Sequence, residues 1–260
     1  ATFGLLLLFV PKTPRFLVMS GNESKALHVL TRINGMDSAR KTLAEIKETV
    51  VEKREKLFSY GVTVVVIGIL LSFFQQAVGI NVVLYYAPRI FENLGASGDV
   101  SMRQTVVMGV VNIIFTMVAI LTVDKFGRKP LLIIGSIGMM VGMAALSVLS
   151  FMDVIGVAAL VFIIIYTASF MMSWGPITWV LISEIFPNTI RGQAVAIAVA
   201  AQWISNFVVS STFPSLSEWS TGGAYLIYAV FSLLSAVFVF KMVPETKGKT
   251  LEDMTRLWRK

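Results

Sequence analysis

The chain has no cysteine and a single histidine, His28. The first absence excludes a disulfide framework and any cysteine-ligated zinc or iron–sulfur centre. The second removes histidine-cluster metal chemistry and leaves haem without an axial pair. Charge is scarce as well. Asp, Glu, Lys and Arg make up 14% of the 260 residues, where a soluble domain carries about 25%. Hydrophobic residues fill 56% of the chain and the mean hydropathy is +0.78. A disordered chain needs the opposite composition. An ordinary soluble enzyme is excluded too, and no nucleophile–base pair or metal set stands out. No catalytic residue, metal or cofactor is therefore expected. The net charge of +7 might invite nucleic acid, but in so apolar a chain basic loops beside a membrane account for it, and no nucleic-acid partner is expected.

What the chain has in abundance is long apolar runs. Six of them cover approximately 60–88, 103–123, 130–151, 155–181, 191–213 and 223–243. Each reaches the roughly 20 residues that a spanning helix needs. The opening run, Ala1 to Val10, is too short to span, and its charges follow it rather than lead it, unlike a signal peptide. It reads as the end of a truncated transmembrane helix over 1–10, so the sequence reads as a fragment. Residues 11–57 are charged, with Ala26, Leu27, Leu30 and Ile33, then Leu43, Ile46, Val50 and Val51, at helical spacing. That spacing predicts a small helical domain outside the bilayer, with His28 a partly exposed helix residue. A bundle over 58–243 and a tail or helix over 244–260 complete the expected organisation.

Basic residues orient the spans. Every Lys and Arg except Arg89 and Arg103 lies in 11–57, 124–130, 184–191 or 241–260. These segments fall on one side of a six-span topology, so the positive-inside rule makes both ends cytoplasmic. The sequon Asn22-Glu23-Ser24 is then on the silent side of the membrane.

Polar side chains within a membrane usually mark a pathway. Here they cluster: Gln75, Gln76, Asn81, Tyr85 and Tyr86 in the first span, Asn112 and Thr116 in the second, Trp174-Gly175-Pro176 and Trp179 in the fourth, and Gln202, Trp203 and Asn206 in the fifth. Gln202 and Asn206 share a helix face. Gln75, Gln76 and Asn81 cannot share one face of a regular helix, unless the helix loosens at Gly79. Spans one and four are the interrupted ones, in corresponding places of two triplets. That arrangement predicts two inverted three-helix repeats around a central site. Amides both donate and accept without charge, and tryptophan adds a flat apolar face. A neutral polyol suits such groups better than an ion. Gln and Asn also serve simply to tie membrane helices together. Lys247-Gly248-Lys249-Thr250 looks like the end of a phosphate loop, but valine stands at 243 where that loop needs glycine.

Several motifs together resemble the sugar porter family of the major facilitator superfamily. Asp124 to Pro130 resembles the superfamily's D-x-x-G-R-R/K loop. Pro244-Glu245-Thr246-Lys247-Gly248 resembles the PETKG signature, and Pro11-Lys12-Thr13-Pro14-Arg15 its PESPR, with Lys12 where the motif has glutamate. Ser183 to Pro187 and Arg191-Gly192 match the loop between the last interrupted helix and its successor. Phe74 to Pro88 and Ala194 to Trp203 are similar to the family's xylose–proton symporters.

The resemblance implies the C-terminal six-helix half of a major facilitator fold, all-α, with 3+3 inverted repeats and a preceding cytosolic helical domain. It implies monosaccharide transport (pentose or hexose, xylose-like) by alternating access in the cell membrane, with a proton as co-substrate. The missing N-terminal half would be the partner, because the proton-carrying carboxylate lies there. Sugar-binding roles are implied for Gln75, Gln76, Asn81, Asn112, Trp179, Gln202 and Trp203, with Tyr86 gating the pocket and Gly175 marking a flexible break with Pro176. A cytosolic charge network is implied for Arg15, Asp124, Arg128, Glu184, Arg191 and Glu245. Other readings are a non-transporting sugar sensor, a half-transporter fragment and a channel, the last disfavoured by the mixed amide and tryptophan lining.

Overall fold

The computed structural model describes residues 12–50, 55–86, 98–153, 157–249 and 251–259, and among them every regular element is an α-helix. The chain divides into two units, Ala1–Glu55 and Lys56–Lys260.

The first unit holds α1 (Pro14–Met19), α2 (Glu23–Asn34) and α3 (Met36–Val50). Thr13 caps α1 by accepting from the Phe16 N–H, and Pro14 occupies the first helical position, where a missing N–H is harmless. Gly35 ends α2 at φ 77°, a conformation few other residues adopt. Leu17, Ala26, Leu30 and Ala39 form the small core. Glu23 and Lys47 pair across α2 and α3, both half-exposed, so the pair adds little stability. His28 is exposed. The expected truncated helix over residues 1–10 lies outside the described residues.

The second unit contains α4 (Val62–Ala77), α5 (Ile80–Tyr85), α6 (Gly98–Phe126), α7 (Arg128–Phe151), α8 (Val157–Met171), α9 (Trp174–Ile185), α10 (Asn188–Trp219), α11 (Thr221–Met242) and α12 (Leu251–Trp258). Six spans long and apolar enough to cross a membrane result, with α4 and α5 sharing one and α8 and α9 another. Burial is uneven. The first span is 67% buried, whereas those in α6 and α10 are 11% and 22% buried. Ile113, Met117 and Leu121 on α6, and Ile204 and Phe207 on α10, point outward. These apolar faces suit lipid or another apolar surface.

The tightest packing surrounds α7, which lies against α8 and α11. Glycine makes the approach possible. A Cβ on Gly135 or Gly138 would collide with Ser173 or Ser169, and one on Gly142 would sit 2.9 Å from the Phe162 carbonyl oxygen. Small residues in such a stripe let membrane helices gain close van der Waals contact. Trp174, fully buried, reinforces the seam. Its indole N–H donates to Ser136 Oγ at 2.8 Å and to the Leu132 carbonyl oxygen at 3.2 Å.

Two spans are interrupted. Between α4 and α5, Gly79 adopts the left-handed conformation, φ 90° and ψ 18°. Between α8 and α9 the helix breaks at Met172 and Ser173, one turn before the expected break at Gly175-Pro176. The cause is Pro176 all the same, because a proline ring clashes with the carbonyl four residues earlier, here that of Met172. A proline is also accommodated inside a third span, Pro214 in α10.

Replacing Gly142 by leucine should therefore force α7 and α8 apart. Overpacking of this kind costs about 1–3 kcal/mol. A lowered melting temperature and loss of a monodisperse peak in detergent are the expected outcomes, and an unchanged melting temperature would contradict the packing described.

Candidate functional site

The interruption at Gly79 decides what the first span presents. Gln75 and Gln76 occupy the last turn of α4, and the left-handed residue redirects the chain so that Asn81, in α5, returns to them. A continuous run of amides results. Asn81 Nδ2 donates to Gln76 Oε1 at 2.6 Å and to Asn206 Oδ1 at 2.9 Å. Gln76 Nε2 donates to Gln75 Oε1 at 3.0 Å. Gln75 Nε2 ends the run on the carbonyl oxygens of Trp174 and Gly175, at 3.3 and 3.4 Å. Those two residues open α9, so the chain of amides joins both interrupted spans to α10.

A cavity of about 290 Å³ lies over this run, lined by Gln75, Gln76, Asn81, Gly175, Trp179, Gln202 and Trp203, together with Ile80, Leu84, Tyr85, Phe170, Met171 and Asn206. Its size suits a small ligand, at the lower edge of the usual range for binding pockets. No charged residue is among the lining. Gln202 Oε1 is buried without a hydrogen-bond partner. A buried acceptor left open is costly unless something fills it. Trp179 and Trp203 are 46% and 62% exposed, so the cavity is one wall of a site rather than a closed chamber.

Seven of the nine expected binding residues thus meet at this cavity; Tyr86 and Asn112 do not line it. The Tyr86 hydroxyl instead donates to the Ser210 carbonyl oxygen at 3.3 Å, and its ring packs on Phe213. Asn112 Oδ1 is buried and unpartnered on α6. Asn206, which the sequence groups with Gln202 on one helix face without giving it a binding role, carries an end of the amide run. Phe170 and Met171 had no signal in the sequence, since apolar side chains in an apolar helix do not stand out.

A charged cluster gathers where α6 and α9 end, α7 begins and the chain leaves α11. Arg128 grips Glu184 with both sides of its guanidinium, Nε to Oε2 at 3.2 Å and Nη2 to Oε1 at 2.9 Å. Thr246 Oγ1 donates to Glu184 Oε2 at 2.6 Å. The Arg128 side chain is 12% exposed and that of Glu184 30%, so this paired fork outweighs the contact of Arg128 with Asp124, which is 82% exposed. Arg191 donates to the Phe186 carbonyl oxygen at 3.3 Å. The Arg15 side chain lies outside the described residues.

Glu245 works differently from an ion-pair partner. It caps a helix from another segment. Gly127, at φ 93°, opens α7 with no side chain of its own to offer. The Glu245 carboxylate accepts from the N–H groups of Arg128 and Lys129 at 3.0 Å each, and from those of Thr246 and Lys247 at 3.0 and 2.9 Å. A negative charge at a helix N-terminus also opposes the helix dipole. Partial burial favours the neutral acid, but the four N–H donors outweigh it and hold the pKa below the ordinary value of 4.5.

The sign of the linkage follows. A depressed folded pKa adds stability that is complete above the unfolded value and disappears as pH falls through the folded one. Thermal stability should decline as pH falls below the ordinary carboxylate range, and Glu245→Gln should remove part of that dependence. An unaltered pH profile in the variant would contradict the capping role.

The family model described as "Sugar (and other) transporter" matches residues 1–258. The chain belongs to the sugar transporter family. Its fold is the C-terminal half of the major facilitator fold, and it is a multi-pass membrane protein. The chain is 50% identical to the D-xylose-proton symporter of Escherichia coli K12 over 98% of its own length and 54% of the relative's. It is 44% identical to the glucose facilitated diffusion protein of Zymomonas mobilis, over 99% and 57% respectively. Among solved structures, that of the proton:xylose symporter XylE bound to 6-bromo-6-deoxy-D-glucose aligns with a TM-score of 0.80 at 50% identity, covering 98% of this sugar transporter chain and 56% of XylE. The chain spans about half the length of the curated relatives it matches.

Proposed function

We propose that this chain forms one half of a monosaccharide carrier, and that the amide cavity is its share of a pentose- or hexose-binding site, xylose-like in the ligand it takes. The observation that carries this reading is the open Gln202 acceptor in an uncharged wall of amides and tryptophans. A sugar hydroxyl donates to such an acceptor while receiving from a neighbouring amide N–H. The C–H face of the ring rests against Trp179 and Trp203. An N-terminal six-helix half covers the exposed tryptophans, and the two halves rock about the bound sugar.

Coupling to protons is the reading we favour, by likeness to the xylose and arabinose symporters among the relatives. The cavity contributes no carboxylate, so the proton-carrying group belongs to the other half. The carrier resides in the cell membrane, with both ends of this chain cytoplasmic and residues 11–57 a cytosolic helical domain. The cluster of Asp124, Arg128, Glu184, Arg191 and Glu245 ties the two halves together when the inner gate is shut, and so favours the outward-open state.

In a carrier completed by the other half, Gln75→Ala or Gln202→Ala should weaken sugar affinity by roughly ten-fold or more. Unchanged affinity in both variants rejects this site. Neutralising Glu184 or Arg191 should shift the conformational balance inward-open while leaving sugar contacts intact. Cysteine accessibility on the two faces reads that shift; identical labelling in variant and parent would refute it.

A further inference from the structure

Among the carbonyls that lose their helical partners in the described part of the membrane-spanning unit, two receive a tyrosine hydroxyl instead. Val78 sits at the interruption between α4 and α5. Its carbonyl oxygen accepts from the hydroxyl of Tyr166, on α8, at 2.8 Å. Tyr166 is fully buried and lies outside the cavity lining. On the other side of the same junction, the ring of Tyr228, from α11, lies over Gly79. Any Cβ there would meet Tyr228 Cδ1 at 2.8 Å. The left-handed junction is thus seated between two aromatic side chains from different helices.

The second carbonyl is that of Ser210. Its helical partner would be the N–H of Pro214, which does not exist, and Tyr86 at the far end of α5 donates to it at 3.3 Å. The six-residue helix α5 is therefore held at both ends by tyrosine hydroxyls. The inner hold is shorter and wholly buried. Asn81 is only three residues beyond Val78, and it carries the bonds to Gln76 and Asn206. Any drift of the junction displaces Asn81 first.

We propose that Tyr166 is a positioning residue for the polyol site: through the Val78 carbonyl it sets where α5 begins, and so where Asn81 stands in the amide run. The inference rests on the monosaccharide reading of the cavity. The rival explanation, that a buried tyrosine hydroxyl merely needs some acceptor, has an internal control. Tyr225 on α11 is equally buried and its hydroxyl has no partner.

The test uses the carrier that this chain forms with its N-terminal half, carrying Leu84→Cys. Leu84 is on α5 and lines the cavity. Tyr166→Phe keeps the ring and removes one oxygen. It is expected to raise the sugar-free labelling rate of the introduced thiol several-fold and to weaken xylose affinity about five-fold, with turnover at saturating sugar altered less. Tyr225→Phe is expected to change none of these. Parent-like labelling and affinity in Tyr166→Phe would overturn the proposal, as would an equal change in Tyr225→Phe. Should Tyr166→Phe fail to yield folded carrier, Gly79→Ala disturbs the same junction and must move both readouts in the same direction. The labelling arm needs no sugar, so it judges the junction alone. A parent carrier that binds no monosaccharide would instead reject the reading on which the site rests.

Discussion

Backbone hydrogen bonding in a medium without water is the constraint on which this structure depends. A carbonyl freed inside the hydrocarbon must find a donor within the protein. The chain interrupts two of its spans and places a proline in a third, and at two of these places a freed carbonyl is taken up by a tyrosine hydroxyl. Val78 is served by Tyr166 and Ser210 by Tyr86. These substitute donors do more than satisfy backbone. Each ties one helix to another at the level of the cavity, so the irregularities are also the joints between helices.

The same constraint explains the chemistry of the wall. An ionised group there would require a partner or a large desolvation penalty. Amides need neither. They can spend one donor on a neighbour and keep an acceptor open, as Gln202 does. Each such bond to a ligand contributes about 0.5–1.5 kcal/mol net. On the proposed reading, several together would hold a neutral polyol firmly enough to select it and loosely enough to release it. A carrier needs both properties, because a ligand held equally well in every state moves the conformational equilibrium nowhere.

The architecture was legible in the sequence for a physical reason. Long uncharged runs cannot be anything but spans, and six of them appear close to the expected limits. Gly79 was legible as an interruption because three amides on the first span could not otherwise face one way. Other features were hidden because they depend on partners far apart in the chain. Trp174 reads like a cavity residue beside Gly175, yet it is buried against α7 with its N–H on Ser136. Tyr86 reads like a pocket residue, but a carbonyl freed by a proline 128 positions later takes its hydroxyl. Glu245 resembles one more member of a charge network, and no pattern of charges reveals that its acceptors face the N–H groups of α7.

The cap on α7 connects this last point to the carrier as a whole. Helix α7 lies in the most closely packed part of the bundle, locked to α8 by glycine and to the start of α9 by Trp174. Its first turn is bound to Glu245, and its first residue, Arg128, is bound to Glu184 at the end of α9. A displacement of the segment after α11 therefore cannot occur without uncapping α7 or loosening the Arg128–Glu184 fork. Loss of either bond leaves a helix terminus or a partly buried charge unsatisfied, and both are costly. Bonds of this kind weaken steeply once stretched, so the cap and the fork together hold the segment after α11 in place against the bundle.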